Sequence, residues 1–313
     1  MPGILINRLL LFTLLLGVSN FLSSWAIGRP SDTIENFPAG RGPIALAFDG
    51  SNIWVVNVYG ETVTKLRASD GVMLGSFGTG VGPVDAVFDG ENIWVSNNQE
   101  DTLTKLRASD GAQLGVFAAG DGPTGLAFDG SSIWVANFAD ETVTKLRASD
   151  GTLEDTVAVG DGPSSLAFDG ANIWVTQQLG SSVTKLRASD GVLLGVFTVG
   201  NNPYPVITNG IYVWVANLSS KNVSRLRADT GQAAGQFPIG VGSLGLASDG
   251  TSIWVGDRQG HSVARFRKSD GAFMRGYRVG IAPVDLLFDG ISMWTANQGS
   301  DTVTKITPSH GAQ

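Results

Sequence analysis

Apolar and polar positions recur along this chain with a period of 40 residues, and within each period they fall into short runs divided by Gly-containing turns. The copy from 125 to 159 shows four such runs, here named A to D outward from a common axis. Run A is GLAFD (125–129), B is SIWVAN (132–137), C is TVTKLRA (142–148), and D ends at Val159. Runs of this length, rich in β-branched and aromatic residues and closed by turn residues, predict strands. Asp129-Gly130 and Asp150-Gly151 supply the turn chemistry, since glycine adopts positive φ without strain. Strand B is apolar on both faces at Ile133, Trp134 and Val135, which places its sheet between two neighbours rather than against water.

Seven tryptophans mark the repeat, at 54, 94, 134, 174, 214, 254 and 294, and no insertion breaks the spacing. A period near 40 residues with four strands per unit is the signature of propeller blades. The fold predicted is therefore all-β, a seven-bladed β-propeller over residues 34–313. Strands A, B and C occur seven times, but strand D reaches seven only if IENFPAG (34–40) is counted, because it matches LGSFGTG (74–80) and LGVFTVG (194–200). The N-terminal strand is thus expected to complete the last blade and leave no open sheet edge.

Composition narrows the function. Residues 1–26 carry one early Arg8, an apolar run from Leu9 to Val18 and small residues at Ser24 and Ala26, the pattern of a secretory signal peptide. Ser19 and Asn20 interrupt the run short of a membrane span. A short leader (27–33) follows, and an extracytoplasmic protein, secreted or periplasmic, is expected, with an uncleaved anchor as the alternative. Without residues 1–26 the chain has 20 basic and 28 acidic side chains, a formal net charge of −8. That balance argues against nucleic acid, whose phosphates are bound mainly by Lys and Arg. The absence of cysteine excludes disulfides and thiolate chemistry.

Most recurring residues have structural readings. The tryptophans are expected to pack between blades. The Asp of each Phe-Asp-Gly (49, 89, 129, 169, 289) reads as turn chemistry, and the Asn closing strand B (57, 97, 137, 217, 297) as a tie for the following loop. Strand C carries 13 of those 20 basic residues, from Lys65 and Arg67 to Lys305, and these are expected to form a dispersed outer ring with wet charges and apolar stems.

The spacing P-x-x-L-A-F-D-G-x-N-I-W-V-A-N followed by T-V-T-K-L resembles the YVTN-type propeller repeat, with the NHL repeat second; the resemblance covers 34–310. Here Trp-Val-Ala-Asn stands where that repeat has Tyr-Val-Thr-Asn. The resemblance implies a surface or periplasmic protein that binds or scaffolds. The chain also looks like streptogramin lyases of the virginiamycin B lyase type, which implies a histidine, a carboxylate and magnesium on one face, and like gluconolactonase-type propellers, which bind a divalent ion. His261 and His310 are the only histidines, and His310 falls at a turn on the opposite face.

Variation concentrates in the B–C loops: VYGET, NQEDT, FADET, QLGSS, LSSKN, RQGHS and QGSDT. Loops on a rigid scaffold are where binding residues gather. The binding candidates are Tyr59, Glu100, Asp101, Asp140, Glu141, Tyr204, Arg258 and His261. Tyr204 lies in Asn202-Pro203-Tyr204-Pro205, which replaces Gly-Pro-x-x, and Asp257 and Asn209 also break the pattern in these copies. Asp85 and Asp285 begin strand A in the second and seventh copies and are the metal candidates: they could hold Ca²⁺ or Mg²⁺ at the channel mouth, and no other cofactor is expected. The expected function is a binding or scaffold module acting through the B–C loop face, toward a protein, small molecule or glycan. The alternative is a propeller hydrolase or lyase using His261 with the acidic rim. The two part on whether His261 and two carboxylates with perturbed titration share one pocket.

Overall fold

The computed structural model describes residues 32–240 and 243–309. They form 28 strands in seven antiparallel four-stranded sheets, with no helix among the described residues. The first blade has strand A at Pro43–Phe48, B at Asn52–Asn57, C at Thr62–Arg67 and D at Met73–Gly78. Each later blade repeats this about 40 residues on. The ring closes as expected. The seventh blade takes A, B and C from Pro283–Phe288, Met293–Asn297 and Thr302–Thr307, and its outer strand is Thr33–Pro38. That strand pairs antiparallel with the chain's last strand, Thr33 opposite Thr307 and Pro38 opposite Thr302. The signal-peptide and leader readings, and His310, lie outside the described residues apart from Asp32 and Thr33.

Adjacent blades share their apolar cores, so no blade is a separate unit. Trp54, Val56 and Val63 of the first blade pack with Ile93, Val95 and Leu106 of the second, and Trp294 and Val303 of the seventh pack with Ile53, Val55 and Leu66 of the first. All seven repeat tryptophans are at most 1% exposed, the default for so large an apolar side chain.

A second network holds the ring, and part of it corrects the sequence reading. The turn aspartates cap their own hairpins: Asp129 Oδ1 accepts the amides of Ser131 and Ser132. Oδ2 of the same residue accepts the indole N–H of Trp134 at 2.8 Å. The same Asp-to-Trp bond recurs in six blades. In the fifth blade Asn209 replaces Asp; its Oδ1 caps Ile211 and Tyr212, and the buried Trp214 Nε1 has no hydrogen-bond partner among the described residues.

The strand C lysines are not a wet outer ring. Lys65, Lys105, Lys185 and Lys305 are 5 to 8% exposed, and each ammonium lies over a tryptophan ring, 4.8 Å from the centroid for Lys105 and Trp94. Each also donates to carbonyls of the next blade's C–D turn, as Lys65 does to Ala108 and Ser109 and Lys305 to Ala68 and Ser69. A lysine stem can cross apolar surface, but here the charge is buried with it, satisfied by carbonyl oxygens and a ring face. The arginine that ends strand C does stay wet: Arg67 pairs with Asp70 at 2.8 Å, both about half exposed.

One seam is built differently. Between the sixth and seventh blades Arg265 turns back to Asp249 of its own blade at 2.9 Å. Asp32 supplies a clamp instead: it pairs with Arg275 at 2.5 Å, accepts the Tyr277 hydroxyl at 3.2 Å and accepts the amide and hydroxyl of Ser309.

Candidate functional site

The seven A strands line the central channel, and the D–A and B–C loops interlock at one end of it: Val58 N–H donates to Gly42 O, and Tyr59 N–H to Arg41 O. A cavity of about 320 Å³ opens at this end. Its rim comes from B–C loops, with Tyr59, Arg258 and Gln298; its depth comes from strand A, with Asp85, Tyr204 and Asp285. Arg258 Nη2 donates to Gln298 Oε1 at 3.0 Å, bridging the loops of the sixth and seventh blades.

Asp85 and Asp285 occupy one register position, three residues into strand A, where the other blades have Ala, Gly, Ser or Pro. Each side chain ties two A strands together. Asp85 accepts the amides of Ala86 and, across the seam, Leu126, both at 2.8 Å. Asp285 does the same with Leu286 and Leu46. Burial pushes the Asp85 carboxyl up to about 7, with a further upward contribution from the charge of Asp285, against the pull of the two amide bonds. Burial likewise carries Asp285 to about 6, opposed by its own two amides. The Tyr204 hydroxyl is raised by burial first and then by both carboxylates, which places all three groups in one electrostatic environment.

Five of the ten residues singled out from sequence therefore meet in one cavity: Tyr59, Asp85, Tyr204, Arg258 and Asp285. The other five stand outside its lining, on the surrounding loops. Asp101 Oδ1 accepts the Gly122 amide at 2.9 Å, and Asp140 Oδ2 accepts the Asp121 amide at 2.7 Å. His261 Nδ1 accepts the Ala282 amide at 3.1 Å, so its neutral form carries the proton on Nε2. Asp101, Glu141 and His261 all have φ between 52° and 56°, at one equivalent loop position. Glu100 is exposed on the same turns. Much of the acidic rim thus caps loop amides, and His261 joins neither Asp85 nor Asp285. Sequence reasoning missed Gln298, although it stands at the loop position of Arg258, 40 residues on.

Among the described residues no three His, Asp or Glu side chains gather as a metal cluster. Asp85 and Asp285 offer two carboxylates, with every oxygen already accepting an amide. A Ca²⁺ ion takes six to eight oxygens and Mg²⁺ an octahedral set, so these side chains alone do not fit a divalent cage.

No protein-family model and no curated protein sequence matches the chain. Its fold does match solved structures. Hydrazine synthase of Kuenenia stuttgartiensis superposes with a TM-score of 0.76 at 19% identity, over 86% of this chain and 96% of that one. A catalytically inactive virginiamycin B lyase from Staphylococcus aureus, solved with quinupristin, gives 0.77 at 16% identity, over 88% and 99%. A streptogramin B lyase gives 0.76 at 18%, over 88% and 98%. At these identities the likeness is one of fold, and fold does not fix function. The molecule is a seven-bladed β-propeller repeat protein.

Proposed function

We propose that this propeller is an extracytoplasmic binding module whose ligand site is the channel mouth on the B–C loop face. One observation carries the reading: the chain's departures from its own repeat converge there. Tyr59, Tyr204 and Arg258 stand at positions occupied by other residue types in other blades, and they line one cavity over two recessed carboxylates. A concave site with a few converging polar groups is the usual form of a small-molecule site. The leader sequence supports export, and the acidic balance argues against nucleic acid.

The test is a thermal-shift screen of small polar molecules, sugars and metal ions against the native protein and a Tyr59→Ala/Arg258→Ala variant, since a ligand of the native state raises its melting temperature. Both positions are exposed, so the variant keeps its fold. A stabilising compound whose effect the variant loses supports the reading; stabilisation that survives in the variant places the site elsewhere.

A second reading rests on Asp85. A carboxyl near 7 is matched to general acid or base chemistry at neutral pH. It makes Asp85, rather than His261, the residue on which a hydrolase or lyase would turn. Turnover of a lactone or cyclic depsipeptide that Asp85→Asn abolishes and His261→Ala spares would establish this reading.

A further inference from the structure

We infer that the channel mouth is a receptor for a small zwitterion, whose ammonium group is held by Asp85 and Asp285 at the floor and whose carboxylate meets Arg258 at the rim. This rests on the reading of the mouth as the binding site and adds the class of ligand.

The lining separates charge by depth. Among the described residues, the two acids of the cavity lie on strand A and its one cation lies on a B–C loop. The Tyr204 hydroxyl has no hydrogen-bond partner among the described residues. It faces the same space as the two carboxylates, whose charges act on it. A phenol can accept from an ammonium, and ring faces attract organic cations. Arg258 uses one nitrogen on Gln298 and is otherwise exposed at the mouth. A guanidinium is suited to paired bonds with a carboxylate.

The alternatives fit less well. A divalent ion takes six to eight oxygens and would find two carboxylates in a cavity far larger than a bare ion, whereas an ammonium needs only a few acceptors. An anion with no positive end would meet two acids at the floor. An ammonium group relieves both penalties of the floor, the burial of two carboxylates and the repulsion of Asp285 on Asp85. Among the described residues the other titratable or charged groups lining the cavity are Tyr59, Tyr204 and Arg258, and no further acid there competes for the cation. Cation binding then displaces protons from the pair, and affinity falls as pH drops from about 7 through about 6.

Isothermal titration of the full protein with ω-amino acids of increasing length, from glycine through 4-aminobutyrate to 6-aminohexanoate, tests this, with n-butylammonium, butyrate and CaCl₂ as the separated chemistries. At pH 8 at least one ω-amino acid should bind about tenfold or more tightly than n-butylammonium, and butyrate should not bind. Affinity should fall about tenfold per displaced proton for each pH unit below about 6. Arg258→Gln, on an exposed loop, should bring the amino acid down to the affinity of n-butylammonium. Asp85→Asn/Asp285→Asn should weaken both, with tryptophan fluorescence confirming the fold. The inference is overturned if no ω-amino acid binds, if butyrate or Ca²⁺ binds more tightly, or if the variants leave affinity unchanged. If the thermal-shift screen still yields a ligand lost in Tyr59→Ala/Arg258→Ala, only the zwitterion class fails; if it yields none, the mouth reading fails with it.

Discussion

Asp49 and Asp85 belong to adjacent blades, and burial pushes both carboxyls upward, yet they end on opposite sides of the ordinary value. At Asp49 burial is outweighed by the Trp54 indole, the Asn52 amide group and the backbone amides of Ser51 and Asn52, so its pKa is lowered. At Asp85 two amides do not offset burial and the nearby charge of Asp285, and the carboxyl rises to about 7. Asp129 and Asp249 repeat the first pattern with their own tryptophans, and Asp285 repeats the second. The turn acids are satisfied by the blade they belong to. The channel acids are left in an environment that disfavours their charge, the pattern that makes them candidate functional residues. The same division runs through the molecule: the Asp, Trp and Lys network repeats almost unchanged around the ring, and the mouth differs blade by blade.

Predictions that strain this contrast begin at the closure. Removing residues 27–40 deletes the strand paired with Thr302–Thr307 and the Asp32 clamp, exposing a sheet edge that templates aggregation. Size-exclusion chromatography should show oligomers or aggregates, and a monomer with unchanged melting would refute the closure as a stability element. Within the uniform network, Trp134→Ala should cost about 3 to 5 kcal/mol in denaturant melts, as removal of a fully buried large aromatic does. A loss below about 1 kcal/mol would mean that the ring repacks without it. The smallest effect is a gain: Asn209→Asp should give the orphaned Trp214 indole the acceptor that six blades already have, and stabilise by about 1 kcal/mol. No gain would show that the Asp-to-indole bond contributes little elsewhere in the ring.

How much of this was legible in the sequence follows from where each interaction lies. The turns, strands and closure could be read because they depend on residues close in sequence or on a count of strands. The Asp-to-indole bond was not read from the sequence, which assigned the aspartates to turns and the tryptophans to packing, although Asp129 and Trp134 stand only five apart and Asn209 breaks the series at the blade whose indole has no partner among the described residues. The burial of the lysines was not legible. Lys65 reaches Ala108, 43 residues on in the next blade, and no local pattern tells a lysine that spans a blade interface from one that lies in water. Asp85 and Asp285 were visible as acids interrupting apolar strands. The rim acids and His261 could not be sorted by role from sequence, because a turn cap and a ligand contact use the same residue types; the structure adds that Asp101, Asp140 and His261 each accept a loop amide.

The contrast between ring and mouth makes opposite claims on stability as pH changes, and one measurement separates them. The turn acids have lowered pKa values, so their contribution is present above the unfolded carboxylate value and is lost only as pH falls below about 4. Asp85 and Asp285 have raised values, so the folded state holds more protons than the unfolded chain between about 4 and about 7, and their contribution is lost as pH rises through that window. Denaturant unfolding from pH 4 to pH 8 should therefore show the native protein losing stability toward pH 8, while Asp85→Asn/Asp285→Asn gives a flatter curve. A native curve as flat as that of the variant, or one that rises across the window, would mean that the channel carboxylates are ordinary structural acids and would contradict the account.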